Sequence, residues 1–126
     1  MLILDNKILS RLNFCLKTIK LLTKQAKLIY KQYNIEEPIL TIDDEIKIAC
    51  YYSGHNIISI NDDILDLNSE AKIKQILIHE FCHHIMYYID GGKSTHGKQF
   101  NECCKIFGIP KGPGLRIRTK EGEKLK

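Results

Sequence analysis

His79, Glu80 and His83 sit in the pattern His-Glu-x-x-His, with Phe81 and Cys82 between them. Residues four apart on a helix are about 40° apart around its axis, so the two imidazoles would leave one face and could share one metal ion. Glu80 would lie about 100° from His79, beside that ion, where a carboxylate can take a proton from an attacking water. Zinc suits such a donor set, and it lowers the pKa of a water from ~15.7 towards ~7, so a carboxylate can complete the deprotonation at neutral pH. A catalytic zinc needs three protein ligands and one open position. Further donors are His55, His84, His96 and the carboxylates. His84 follows His83 directly and points about 100° away, which reads as a surface or supporting position. His55 falls in a turn-forming run, Ser53-Gly54-His55-Asn56, and reads as solvated. His96 follows Gly91-Gly92, which lets the chain double back, so the geometry favours it as third ligand.

The elements that must position these residues follow from periodicity. Leu9, Leu12, Leu16, Ile19, Leu22, Ala26, Ile29 and Tyr33 recur at helical steps over about residues 6–34. Lys17, Lys20, Lys24, Lys27 and Lys31 keep the same rhythm on the other face, and Pro38 bars continuation. Tyr30 and Tyr33 fall towards the apolar side and read as core. Three β-type runs follow, Ile39–Ile42, Ile46–Tyr52 and Ile57–Ile60. In the second, Ile46, Ile48, Cys50 and Tyr52 alternate with Lys47, Ala49, Tyr51 and Ser53, as in a half-buried strand. An antiparallel meander is the economical arrangement, because a parallel pair needs a longer crossover. Its edge, Ile57–Ile60, would line the cleft and accept substrate as an added strand.

Asp62-Asp63 can open a short helical turn ending at Leu67. Asn68 or Ser69 then caps a long helix with Glu70 in its first turn. That helix carries the stripe Ile73, Leu77, Phe81, Ile85 and Ile89 and ends at Gly91-Gly92. A closing helix is expected from Ser94 or Thr95, burying Phe100, Cys103 or Cys104, and Phe107 before Gly108. Residues 1–110 read as one domain, and 111–126 as a Gly/Pro-broken, basic C-terminal tail.

A length of 126 residues allows one domain with a modest core. No apolar run approaches the ~20 residues of a membrane span, and the first residues do not follow the signal-peptide pattern. An intracellular protein is the expectation, cytoplasmic or nuclear/nucleoid-associated. The five cysteines are an odd set with no Cys-x-x-Cys pair, which fits scattered reduced thiols better than disulfides or a zinc ribbon. The net charge of +4 conceals segregation. Residues 1–34 and 93–126 each carry +6, and residues 35–92 carry −8. Two basic flanks around an acidic middle suit a polyanionic partner. The lysines above and Lys111, Arg116, Arg118, Lys120, Lys124 and Lys126 are the candidate phosphate contacts.

The His79–His83 motif, followed thirteen residues on by His96-Gly97-Lys98-Gln99-Phe100, resembles the SprT-like (Spartan-type) zinc metallopeptidase family. That family pairs a His-Glu-x-x-His helix with a His-Gly-x-x-aromatic motif. The upstream block Ile57-Ile58-Ser59-Ile60-Asn61 with Asp63-Ile64-Leu65 is similar too. The likeness implies His79, His83 and His96 as ligands of one catalytic zinc and Glu80 as general base. It further implies that Gly97 allows close approach and that Phe100 packs behind the metal. It also implies a substrate class, proteins bound or crosslinked to DNA, with single-stranded or junction DNA held by the basic flanks. The expected architecture is one α+β, zincin-like domain: an N-terminal helix, a small three-stranded antiparallel sheet, a metal-binding helix and a closing helix. Two other readings follow from the same residues. One is a zinc peptidase with a regulatory substrate unrelated to DNA, and the other a non-catalytic module with a structural zinc.

Overall fold

The computed structural model describes residues 5–93, 96–109 and 115–125. Asp5 opens α1 (Asn6–Gln25), its carboxylate accepting from the Ile8 amide at 2.9 Å. The chain turns a corner at Ala26 and resumes as α2 (Lys27–Tyr33), so the single expected helix is two. The buried stripe of α1 is Ile8, Cys15, Ile19 and Leu22, whereas Leu9 and Leu16 are about two-fifths exposed. The apolar face is therefore rotated from the expected one, because Cys15 and Thr18 pack inside and a leucine tolerates the rim.

Strands β1 (Ile39–Ile42), β2 (Ala49–Tyr52) and β3 (Ile57–Ile60) form a sheet in the order β1-β3-β2. β3 pairs with β2 antiparallel and with β1 parallel, so the expected all-antiparallel meander is corrected to a mixed sheet. The physical reason lies in the connection. Residues 43–56, which contain β2 itself, form the crossover, and they exceed the dozen or so that a parallel return requires. β3 is consequently the central strand, not the edge. The second strand is also shorter than its alternation suggested. Ahead of it Asn61 holds the chain, its amide donating to the Ile48 carbonyl (2.8 Å) and its side chain to the Ile46 carbonyl (2.6 Å).

Asn61 also caps α3 (Asp62–Leu67), and Ser69 caps α4 (Glu70–Asp90). Gly91 closes α4 in the left-handed conformation (φ 71°). α4 is the axis of the molecule. It buries Ile73, Ile76, Leu77, Ile78, Phe81, Cys82, Ile85 and Met86, residues spread right around its circumference. A helix that is apolar all round must be enclosed. α1, β2, β3 and α5 (Lys98–Phe107) enclose it. α5 buries Phe100, Cys103, Cys104 and Phe107 and ends at Gly108. It begins at Lys98; Ser94 and Thr95, where its start was expected, lie outside the described residues.

The expectation of an irregular tail is also corrected. β4 (Arg116–Thr119) and β5 (Gly122–Leu125) form an antiparallel hairpin with Ile117 fully buried. The buried Asn68 side chain holds it as a strand would, donating to the Arg118 carbonyl (2.9 Å) and accepting from the Arg118 amide (3.0 Å). Lys111 and Lys126 lie outside the described residues. Ile117→Ala is expected to lower stability by roughly 2–4 kcal/mol, read as a lower urea midpoint at unchanged slope. An undocked tail would show no shift.

Candidate metal centre and cleft

α4 carries His79 and His83 one turn apart on one face, and the Gly91-Gly92 turn brings the chain back to place His96 beside them. The Nε2 atoms lie 3.3 Å apart for His79 and His83, 3.1 Å for His83 and His96, and 3.3 Å for His79 and His96. These contacts cannot all be hydrogen bonds. Each Nε2 either donates or accepts, so among three of them at least two are alike. Donors at ~2.0–2.1 Å from a tetrahedral zinc would themselves lie ~3.3 Å apart, so the spacing fits a metal ion at the common point. Phe100, fully buried on α5, supports all three rings: it stacks on His83 (centroids 4.4 Å apart, planes 29° apart) and stands edge-on to His79 and His96 at 5.2 Å.

His96 sits in the turn before α5 with φ 55°, in the left-handed region. For a residue other than glycine this costs about 1–2 kcal/mol, a strain that persists where the side chain is needed in one place. Gly97 next to it is the N-cap of α5, and its carbonyl accepts from Asn101 (2.9 Å).

His79, Glu80, His83 and His96 share a cleft of about 680 Å³. Glu80 is 1% exposed. The opposite wall is the stretch from Ile46 to Tyr51, so the strand beside the cleft is β2 and not the expected Ile57–Ile60. The inward face of β2 is also the one thought outward. Ala49 is buried and Tyr51 half-buried, while Tyr52 is exposed. Tyr51 counted as polar in the alternation, yet its hydroxyl has an internal partner.

That partner is His84. Expected near the surface, it is fully buried, with Nδ1 3.0 Å from the Tyr51 hydroxyl and Nε2 2.8 Å from the Glu36 carbonyl. Burial pushes its pKa down to about 4, against a smaller upward pull from the Glu36 carbonyl. His84 does not join the histidine cluster, and His55 is exposed in the β2–β3 turn as expected. The signal that separated His84 from a surface residue was angular: it projects from α4 between Phe81 and Tyr88, on the side the sheet covers.

Lys17, Lys20, Lys24, Lys27 and Lys31 are all exposed along α1 and α2. Among the described residues none of them is in an ion pair. Arg116 and Arg118 are exposed on the hairpin, with Arg116 3.3 Å from Glu123 and Lys120 3.3 Å from Asp63. Tyr30 stacks on Phe81 (6.1 Å), as core, whereas Tyr33 is 39% exposed. No helix among the described residues is long and apolar enough to cross a membrane. The thiols of Cys15, Cys82, Cys103 and Cys104 are buried and all five cysteines are free, and burial raises the pKa of Cys82.

Three converging imidazoles, a buried glutamate from the same helix and a strand-walled cleft define a protein of the His-Glu-x-x-His metal-site class. The model of the SprT-like family matches residues 13–121, and the chain belongs to that family. The family is associated with zinc metallopeptidase-like activity. No curated protein matches the chain.

Dialysis against zinc is expected to leave one ion per chain in the wild type and in Glu80→Gln. His79→Ala, His83→Ala and His96→Ala should each lose it, measured by atomic emission. A second expectation concerns pH. The unfolded pKa of His84 is about 6.5 and its folded value about 4. Between these values the unfolded chain binds more protons, so stability is full above about pH 6.5 and falls as pH drops towards 4. His84→Gln should remove up to about 3 kcal/mol of that pH dependence, read as the difference between the two urea-midpoint profiles.

Proposed function

We propose that the chain is a zinc-dependent endopeptidase acting on protein substrates held on or crosslinked to DNA. The observation that carries the catalytic part is the triad of Nε2 atoms at 3.1–3.3 Å, with Glu80 in the same cleft. His79, His83 and His96 would hold the ion. Zinc, when bound, supplies Lewis acidity to a peptide carbonyl and makes an attacking water more acidic. Glu80 acts as general base: its carboxylate takes the proton of that water and passes it to the leaving amine. Its burial keeps bulk water from competing for that proton.

β2 supplies the substrate rail. The Ile48 carbonyl is bonded to Asn61 on the β3 side, so by strand alternation Lys47 and Tyr51 turn their backbone groups towards the outer edge. An extended peptide laid along that edge is recognised through its backbone, which suits an enzyme that must accept many protein sequences.

The DNA part rests on the family and on charge. The lysine row of α1 and α2 is exposed and free of ion pairs among the described residues, which is what sequence-independent phosphate contact needs. Arg116 and Arg118 would extend it on the hairpin, Arg116 more weakly because Glu123 already engages it.

The test is cleavage of a DNA-binding protein, and of the chain itself, with and without single-stranded DNA, with Glu80→Gln alongside. Cleavage that requires both DNA and Glu80 is expected. Glu80-dependent cleavage indifferent to DNA would retain the peptidase and remove the DNA substrate class. No cleavage by folded, zinc-loaded protein would favour a structural-zinc module. In DNA binding, Lys20→Ala and Lys24→Ala should each reduce the slope of log K against log salt by about 0.7 per lost phosphate contact, read by fluorescence anisotropy.

A further inference from the structure

His83 and His84 are neighbours in sequence, yet one imidazole joins the cluster of three and the other is sealed against the sheet. The hydrogen bonds of His84 fix its tautomer. The Glu36 carbonyl can only accept, so Nε2 carries the proton and donates to it, and Nδ1 accepts from the Tyr51 hydroxyl. One turn further along α4, the Tyr88 hydroxyl donates to the Asn56 side-chain oxygen at 2.6 Å. The Asn56 amide in turn donates to the Glu36 carboxylate at 3.1 Å, and the Asn56 carbonyl accepts from the Ile39 amide at 2.7 Å. The circuit therefore closes from α4 through Glu36 and the β2–β3 turn back to α4. Within it, His84 is the member that reaches β2.

We propose that the His84–Tyr51 pair is a positioning clasp that sets the height of the β2 edge above the His79 and His83 pair. It rests on the peptidase reading above. Neither partner needs to touch the reacting atoms: the Tyr51 hydroxyl is engaged by His84, and His84 is fully buried. The clasp acts because strand and metal face are both referenced to the same turn of α4. A peptide on the edge of β2 is delivered to the cluster only if the strand does not slide, and misplacement by about 1 Å is enough to reduce rate strongly. Packing alone does not require this chemistry. The rings of Tyr30, Tyr51, Phe81 and Tyr88 lie 5.3–6.1 Å from the imidazole, a slot that an aliphatic side chain could also fill. What an aliphatic side chain lacks is the pair of opposed bonds.

His84→Leu tests it. The variant is expected to fold and to keep one zinc per chain. Hydrolysis of a long unstructured peptide should fall about tenfold in kcat/KM. An acylated dipeptide amide, too short to use the strand, should be cleaved as by the wild type. Amide hydrogen exchange at residues 49–52 should accelerate. Tyr51→Phe should reproduce the faster exchange and the loss on the long peptide. His84→Gln, which keeps a donor and an acceptor, should restore most of both. Equal losses on the two substrates would overturn the clasp, because the defect would then lie in the chemistry. So would unchanged exchange at 49–52 in both His84→Leu and Tyr51→Phe. If the wild type cleaves neither peptide, the peptidase reading fails, and exchange alone then decides whether the clasp exists.

Discussion

Three imidazole nitrogens held 3.1–3.3 Å from one another are an unfavourable arrangement for a protein alone. At least one pair must present two lone pairs or two protons to each other, and a cation at the centre removes that conflict. Much of the surrounding structure makes sense as the cost of holding them together. Phe100 braces all three rings from one side. His96 keeps a left-handed backbone, uncommon for a residue other than glycine. Two glycines at the end of α4 turn the chain back sharply enough to bring it there, both with positive φ. Such strain is tolerated because the helix that carries the other two histidines is packed between α1, the sheet and α5 and does not yield easily.

That enclosure also explains which parts were legible in the sequence. The helix that carries His79 and His83, its Ser69 cap, its Gly91 stop and the convergence of His79, His83 and His96 follow from local rules, namely spacing, capping and turn chemistry. Ile39–Ile42 and Ile57–Ile60 were legible as strands for the same reason. What failed was non-local. Strand order depends on which element fills the gap between two others, and β3 inserts between β1 and β2 without any local signature of doing so. The facing of β2 depended on Tyr51, whose hydroxyl looks polar until His84 receives it 33 residues away in sequence. The hairpin depended on Asn68, a residue that reads as a helix cap and acts as a strand partner 50 residues further on. In the last two cases a polar side chain finds its partner far away in sequence, which local rules do not register.

The two surfaces to which function is assigned lie on different sides of α4. Phe81 lies about 160–200° around the helix from the two histidines, and it is Phe81 that stacks on Tyr30 of α2. The lysines of α1 and α2 point further out from that side, with their apolar stripe turned inward. A polyanion along the lysine row therefore does not cover the cleft, and a peptide on the β2 edge does not displace the polyanion. The charge pattern agrees with this separation. The basic first segment supplies the lysine row, whereas the charged side chains lining the cleft are Lys47 and Glu80, of opposite sign. A polyanion on the lysine row, the contact proposed for DNA, would therefore meet a face other than the one that opens the cleft.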